Sequence, residues 1–300
     1  MAEHHTFTAP YNLLTPASLH KGVLRQIFTL KKTKLIWIYK TKDNNLIFDS
    51  HAHYDDAAFD EDRDEVLKSL REEGIGNVCD ICADIKDLPK ILELTKEYDF
   101  IYAAAGVHPC DVYDIEEEEF AQIEEALDDP KVVAVGEIGL DYHYDDTDRA
   151  KQKAAFVRQI DLARQRNYPL VTHSRDAAQD TFEIMKAEKA EDAGGVIHCF
   201  SYEKEMARRF LDLGYYIGVG GVLTYKNARK LAEVVEYMPM ERMLLETDCP
   251  YLCPEPHRGK RNDSRMLKYV VSKIAQIKGI PEEEVIRVTG NNALKMYRLN

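Results

Sequence analysis

Short apolar segments alternate with charged segments along the chain from residue 46 onward. Each apolar segment is rich in β-branched residues and ends in polar residues or glycine, which is typical of a buried strand. The charged segments between them, such as DEDRDEVLKSLREEG, repeat apolar residues every three or four positions, as one face of a helix requires. The eight apolar segments are LIFDSHAH, GNVCDIC, FIYAAAGVHP, VVAVGEIGLDY, PLVTHSRD, GGVIHCFS, YYIGVGGV and MLLETDCPYL.

Strands that alternate with helices indicate an α/β protein with a parallel sheet, and eight such units can close into a (β/α)8 TIM barrel. Such a barrel commonly takes about 250 residues. We therefore predict one barrel domain over residues 46–300. A doubly wound open sheet is the structural alternative. The glycines of YYIGVGGVLT lack GxGxxG spacing, so we interpret them as sites of tight packing or turns.

Residues 1–45 differ in composition from this pattern. Up to Leu46 the chain has seven Lys or Arg and two acidic residues, although the formal charge of the whole chain is −13. The apolar stretch LIWIY is too short, and too closely flanked by lysine, for a secretory signal or a membrane anchor. We interpret the segment as a basic extension, disordered or peripheral, or as a start-site artefact. An arm that attracts nucleic acid stays open as an alternative.

The overall composition narrows the class of protein. With 45% hydrophobic and 31% charged residues, the chain is typical of a soluble globular protein. The net negative charge argues against coating nucleic acid through a basic surface, but not against a nuclease that admits one strand end. Six cysteines and no visible secretory signal predict reduced thiols and a cytoplasmic location. We interpret Cys79-x-x-Cys82 as part of a strand rather than a zinc site.

Histidine and carboxylate side chains stand at the ends of five of the predicted strands. Parallel barrels place their chemistry at the carboxyl ends of the strands. Residues two apart in a strand share a face, so the HxH pair of the first strand can point at one ion. The candidate ligands are His51, His53, Glu137, His173, His198 and Asp248.

Four imidazoles and two carboxylates suit two divalent ions. We expect Glu137 to bridge them, with the HxH pair on one ion and His173 and His198 on the other. Asp248 is expected to ligate the first ion and to orient or deprotonate a water molecule. Mg, Mn, Zn and Fe are all compatible with these ligand types.

The motifs DSHAHYDD, GVHP, VGEIGLDYH, THSRD, VIHCFS and ETDCPYLCPEPHRGKRN resemble, in this order, those of the TatD family of metal-dependent hydrolases. The resemblance covers residues 46–300. It implies an amidohydrolase-like barrel, a metal-dependent deoxyribonuclease activity, often 3′-to-5′ on single strands, and a cytoplasmic location. It also places the six candidate ligands on the family's metal ligands and His108 on a further histidine near the site. Cys249 and Cys253 depart from the small residues that the family often has there.

A cleaved phosphodiester needs hydrogen-bond donors or cations, and the arginine fork suits phosphate geometry. Arg175 lies two residues after His173, on the same face if the strand continues. The structural alternative for Arg175 is a salt bridge, and for His108 it is a hydrogen-bonded role in the fold. For His257 and Arg258, which follow strand eight, the alternative is a solvated position in a loop. The substrate-binding candidates are His108, Arg175, His257 and Arg258.

We therefore expect a hydrolase that cleaves DNA or another phosphodiester, with Asp248 and Glu137 as catalytic residues. An amidohydrolase-type enzyme acting on an amide, a lactone or an aminoacyl-tRNA ester stays open, because activated water attacks carbon and phosphorus alike. A non-catalytic metal-binding scaffold is a further alternative. No membrane association and no obligate protein partner are expected, and the chain is predicted to be a monomer or a weak oligomer.

Overall fold

A closed ring of eight parallel strands organises the protein. The computed structural model describes Met1 and residues 46–113, 115–144 and 148–299. The interpretations offered for residues 1–45 concern a segment that, apart from Met1, lies outside the described residues. The strands are β1 Ile47–Ala52, β2 Ile75–Ile81, β3 Ile101–Ala105, β4 Val132–Asp141, β5 Leu170–Arg175, β6 Gly195–Ile197, β7 Tyr216–Val219 and β8 Met243–Leu245.

Helices follow or flank the strands throughout the described residues, and none of them is long and apolar enough to cross a membrane. The helices Arg63–Ser69 and Arg149–Arg166 lie within DEDRDEVLKSLREEG and DRAKQKAAFVRQIDLARQRN, two segments whose spacing predicted helices. The α-helices are α1 Arg63–Ser69, α2 Leu88–Glu97, α3 Glu117–Ala126, α4 Arg149–Arg166, α5 Ala178–Ala187, α6 Lys204–Asp212, α7 Arg229–Tyr237, α8 Leu267–Lys278 and α9 Glu282–Met296.

The strands pair in chain order from β1 to β8, each parallel to the next. The ring closes through a parallel bridge between Ala52 and Cys249, and the His53 amide donates a 2.9 Å hydrogen bond to the Cys249 carbonyl. Consecutive pairing with closure is the arrangement of a (β/α)8 barrel. The predicted fold is confirmed, and the open-sheet alternative is excluded.

The interior of the barrel is filled with side chains rather than open. One buried apolar cluster takes a residue from every strand and adds the end of α9. Tyr297, just after α9, stacks on Phe48 of β1 with ring centroids 5.7 Å apart. Arg298 then donates to the carbonyls of Asn167 and Ala193, which precede β5 and β6. The end of the chain therefore closes the amino-terminal end of the barrel, and the opposite end carries the polar side chains.

Two predictions about local sequence are confirmed. Cys79 lies within β2, Cys82 directly follows it, and both are buried without entering any cluster of metal-capable side chains in the described residues. The glycines in and just after β7 provide close packing. A Cβ on Gly218 would lie 2.1 Å from the Glu246 carboxylate, and one on Gly221 would lie 2.1 Å from the Leu252 carbonyl.

The seam between β1 and β8 is held by a buried carboxylate. Asp49 accepts hydrogen bonds from the Thr247 amide at 3.0 Å, the Thr247 hydroxyl at 2.7 Å and the Ser264 hydroxyl at 2.7 Å. Asp49 and Ser264 are both fully buried. Burial raises the pKa of Asp49 to about 6, although these hydrogen bonds oppose the shift. Three donors from the far end of the chain thus depend on this one side chain.

Asp49→Ala should destabilise the fold by about 3 kcal/mol, because it removes one carboxylate and leaves buried donors of Thr247 and Ser264 without a partner. Urea unfolding followed by circular dichroism measures this change. Asp212→Ala is the matched control, since Asp212 pairs with Arg208 on the exposed side of α6. An unfolding midpoint of Asp49→Ala equal to that of the control would contradict the role assigned to the seam.

Candidate metal centre and active site

The six candidate ligands converge at the carboxyl end of the barrel. His51 belongs to β1, Glu137 to β4 and His173 to β5, whereas the others lie just past the ends of β1, β6 and β8. Three overlapping groups of potential ligand atoms form there, each within 4.8 Å. The groups are His51 with His53 and Asp248, His51 with Glu137 and His198, and His108 with Glu137 and His173.

The first group spans the seam of the barrel. His51 Nε2 lies 3.2 Å from His53 Nε2 and 3.6 Å from Asp248 Oδ1. His53 Nε2 lies 3.3 Å from the same Asp248 oxygen. His51 of β1 and His53 just past it thus face one residue that follows β8, in agreement with the expectation that the HxH spacing turns both rings to the same side.

Glu137 lies at the centre of the second and third groups. Its Oε1 atom is 2.6 Å from His198 Nε2 and 2.8 Å from His173 Nδ1, and its Oε2 atom is 3.3 Å from His51 Nε2. The carboxylate therefore divides its two oxygens between the histidine of β1 on one side and, on the other, the histidine of β5 and the one that follows β6. This is the arrangement that a bridging ligand between two ions requires.

Hydrogen bonds to the surrounding protein set which nitrogen of each imidazole can accept. His53 Nδ1 lies 2.8 Å from the Ile81 carbonyl and donates its proton there, so Nε2 is the nitrogen that faces Asp248 and can offer a lone pair to a cation. His173 Nε2 lies 3.0 Å from Asp141 Oδ2, which favours the proton there and leaves the Nδ1 lone pair facing Glu137.

The electrostatics of the cluster favour positive charge at its centre. Burial alone lowers the pKa of an imidazole, but the hydrogen bond and charge of Asp248 raise the pKa of His53 to about 10. Burial raises the pKa of Glu137, but His198, His51 and His108 lower it well below its usual range. Lone pairs and carboxylates so close together suit divalent cations, and the donor set contains only the nitrogen and oxygen ligands of Zn, Mn or Mg.

The comparisons with known proteins agree with this geometry. The family described as TatD related DNase matches residues 48–298. The uncharacterized metal-dependent hydrolase YabD of Bacillus subtilis is 43% identical over 255 residues, which cover 85% of this chain and all of YabD. The chain belongs to the TatD family. It is a metal-dependent hydrolase.

Other TatD-family relatives align over a similar range. The uncharacterized metal-dependent hydrolase YcfH of Escherichia coli is 36% identical over 260 residues, covering 85% of this chain and 96% of YcfH. The crystal structure of the TatD homologue YjjV from Escherichia coli K12 matches with a TM-score of 0.81 at 30% identity, over 86% of this chain and all of YjjV. An organophosphorus hydrolase from Deinococcus radiodurans matches with a TM-score of 0.58 at 15% identity, which shows the fold alone.

His108 differs from the other histidines of this TatD-family site. Its Nε2 atom lies 3.7 Å from Glu137 Oε1, beyond hydrogen-bond distance, and the Cys110 amide donates to its Nδ1 atom at 3.2 Å. Burial lowers the pKa of His108 to about 3, so the ring is neutral at neutral pH. A neutral ring whose Nδ1 accepts must carry its proton on Nε2. His108 therefore presents an N–H donor at the edge of the cluster, not a lone pair.

The three other substrate-binding candidates are spread around the mouth of the barrel. Arg175 ends β5 with an exposed side chain, and its guanidinium lies over the Tyr144 ring at 5.7 Å. His257 Nε2 is 2.9 Å from the Tyr269 hydroxyl of α8, and Arg258 lies over the Tyr225 ring at 4.3 Å. Arg175 therefore lies in the same strand as the candidate ligand His173, two residues after it. His257 and Arg258 instead contact Tyr269 and Tyr225.

Two buried acids beside the cluster were not predicted from the sequence. Asp141 lies four residues after Glu137 in β4 and contacts His173, and the even spacing along that strand was a usable signal. Glu246 accepts a 2.6 Å hydrogen bond from the Cys199 amide, and burial raises its pKa to about 8. The sequence feature related to Glu246 is Gly218, because the missing side chain of this glycine makes room for the Glu246 carboxylate.

Glu137→Ala should reduce the metal content of the protein. In the described structure, Glu137 is the only acid that forms candidate ligand groups with both His51 and His173. We expect two divalent ions per chain in the parent and at most one in the variant, measured by equilibrium dialysis against Mn²⁺ and mass spectrometry. His143→Ala is the control, since His143 pairs with Asp176 at the exposed rim. Equal metal content in parent and Glu137→Ala would refute the bridging assignment.

Proposed function

We propose that the protein is a deoxyribonuclease that hydrolyses DNA phosphodiester bonds with two divalent ions, acting from the 3′ end of single strands. The observation that carries the proposal is the divided Glu137 carboxylate, which has histidine nitrogens within 3.3 Å of each of its oxygens. The description of the matching family as TatD related DNase supports DNA as the substrate. Mg, Mn and Zn are the candidate metals.

Each ligand has a place in this proposal. The HxH pair and Asp248 would hold one ion, His173 and His198 would hold the other, and Glu137 would be shared between the two. Divalent ions in such a pair supply positive charge for the phosphoryl oxygens and lower the pKa of water toward neutrality.

Asp248 is the proposed proton acceptor. It is the most exposed of the carboxylates in the cluster, with 19% of its side chain accessible, against 4% for Glu137. Burial raises its pKa, but the hydrogen bond with His53 and the neighbouring histidines lower it overall, so Asp248 is ionised at neutral pH. An accessible, ionised carboxylate can orient the attacking water and accept its proton.

His108 and Arg175 are the proposed substrate-binding groups. The Nε2–H of His108 can donate to a phosphoryl or leaving-group oxygen, and the exposed fork of Arg175 can bind a neighbouring phosphate. His257 and Arg258 follow β8 in the chain, and contacts with the next nucleotide are their proposed role. The end of a DNA strand therefore meets hydrogen-bond donors at the site. The net charge of −13 disfavours binding of long DNA duplexes elsewhere on the surface.

The cellular setting belongs to the same proposal. All six cysteines are free, which suits a reducing compartment such as the cytoplasm. We propose DNA as the partner, with the protein acting as a monomer or a weak oligomer.

A substrate panel with and without chelator tests the proposal. It contains single-stranded and duplex DNA, a chromogenic phosphodiester of thymidine, a lactone and an aminoacyl-tRNA. We expect metal-dependent hydrolysis of single-stranded DNA from the 3′ end. Hydrolysis of only the lactone or the aminoacyl ester would replace DNA with that substrate, and metal binding without hydrolysis of any member would indicate a scaffold.

Asp248→Asn should lower kcat on the chromogenic phosphodiester by about 100-fold or more, because an amide cannot accept the proton of the attacking water. Circular dichroism and the melting temperature should match the parent, since the amide keeps the shape of the side chain. A variant that retains most of the parent's kcat would exclude Asp248 as the base.

Arg175→Ala should raise KM for a single-stranded oligonucleotide about tenfold, corresponding to about 1.4 kcal/mol for one lost charge-assisted contact. The metal content should not change, because Arg175 contacts none of the six candidate ligands in the described structure. Arg208→Ala on α6 is the control, since Arg208 pairs with Glu205 on the exposed face of that helix. An unchanged KM in Arg175→Ala would remove Arg175 from the substrate site.

A further inference from the structure

Two glutamines on the inner face of α4 are buried as completely as core residues. Gln152 is 0% exposed and Gln159 is 1% exposed. Residues seven apart lie on the same face of a helix, two turns from one another. A buried amide costs free energy unless all its polar atoms are paired, so each of these side chains needs both a donor and an acceptor from the protein.

Gln159 pairs with the backbone of Val107. The Val107 amide donates to Gln159 Oε1 at 2.7 Å, and Gln159 Nε2 donates to the Val107 carbonyl at 3.2 Å. Val107 lies beyond the end of β3 and directly precedes His108. The glutamine therefore continues the hydrogen bonding of a strand where the strand has ended, and it fixes the peptide from which His108 projects.

Gln152 pairs with the backbone of Asp141 in the same way. The Asp141 amide donates to Gln152 Oε1 at 2.9 Å, and Gln152 Nε2 donates to the Asp141 carbonyl at 2.9 Å. Asp141 is the last residue of β4, and its Oδ2 atom lies 3.0 Å from His173 Nε2. Gln152 thus fixes the residue that orients His173 toward Glu137.

We infer that α4 positions two different parts of the site: Gln159 positions His108, and Gln152 positions His173 through Asp141. The part played by His108 in turnover rests on the proposed function, whereas the placement of both imidazoles does not. Glutamine suits this role because one planar amide can pair with both the N–H and the C=O of a single residue. An apolar residue of similar size at either position would fill the space and leave two backbone hydrogen-bonding groups unpaired.

The test uses Gln159→Met and Gln152→Met in the full-length protein. Gln165→Met is the matched control, because Gln165 lies on the outer face of α4 and donates to Asp161 at 2.7 Å. Metal affinity is titrated with Mn²⁺, the histidine ¹H–¹⁵N spectrum reports which ring nitrogen of each imidazole is protonated, and single-turnover rates are measured on the chromogenic phosphodiester.

Each variant should affect a different measurement. Gln152→Met should weaken Mn²⁺ binding about tenfold or more, as loss of the group behind a ligand typically does, and shift the His173 signals. Gln159→Met should leave Mn²⁺ affinity within about twofold of the parent, shift the His108 signals and lower the single-turnover rate about tenfold. Gln165→Met should match the parent throughout.

The inference is overturned if His108 signals are unchanged in Gln159→Met, if Gln152→Met binds Mn²⁺ like the control, or if both variants change both signals equally. Should the methionine variants not fold, Gln152→Glu and Gln159→Glu replace them, because a protonated glutamic acid keeps the shape, one donor and one acceptor. Their histidine signals should then be closer to the parent at pH 6 than at pH 8. If no phosphodiester is hydrolysed, the proposed function fails, and the spectra and metal titration still decide the positioning role.

Discussion

The buried carboxylate of Asp49 joins two strands that the chain separates by almost its entire described length. It accepts hydrogen bonds from Thr247 and Ser264, and so ties the first strand to the segment after the last. His51 belongs to one of these strands and Asp248 follows the other, so their contact exists only when the seam is closed. Closing so long a loop costs chain entropy, which the paired carboxylate and the apolar interior must offset. Barrel closure and ligand assembly are therefore one event.

The same closure concentrates lone pairs in a region of low dielectric. Each of the four histidines has a ring nitrogen within 3.3 Å of an oxygen of Glu137 or Asp248, and buried charges of this kind are stable only when compensated. A cation supplies that compensation, because it can replace a proton on His53 Nε2 while His53 Nδ1 keeps its hydrogen bond to the Ile81 carbonyl. Metal binding should consequently stabilise the folded state as well as enable chemistry, because the unfolded chain has no such cluster.

The sequence predicted much of this arrangement, for a physical reason. In a parallel barrel the carboxyl ends of all strands meet, so the chain position of Glu137 or His198 at a strand end is enough to predict that they approach. The protonated nitrogen of His108 could not be predicted, because it depends on a loop amide at Cys110. Nor could the contact of His257 with Tyr269, since a loop after the last strand can run in several directions. The spacing of residues in the sequence determines the direction of their side chains only within helices and strands.

That difference explains why the helices around the barrel matter to its chemistry. A strand residue is held by its neighbours on both sides, but a residue just past the strand end has lost those hydrogen bonds. Val107 has no further β partner, and Gln159 supplies both missing bonds from the helix. Asp141 ends β4 and is held in the same way by Gln152. Because active sites lose activity when groups move by about 1 Å, the precision of the mouth depends on such side chains rather than on the sheet alone.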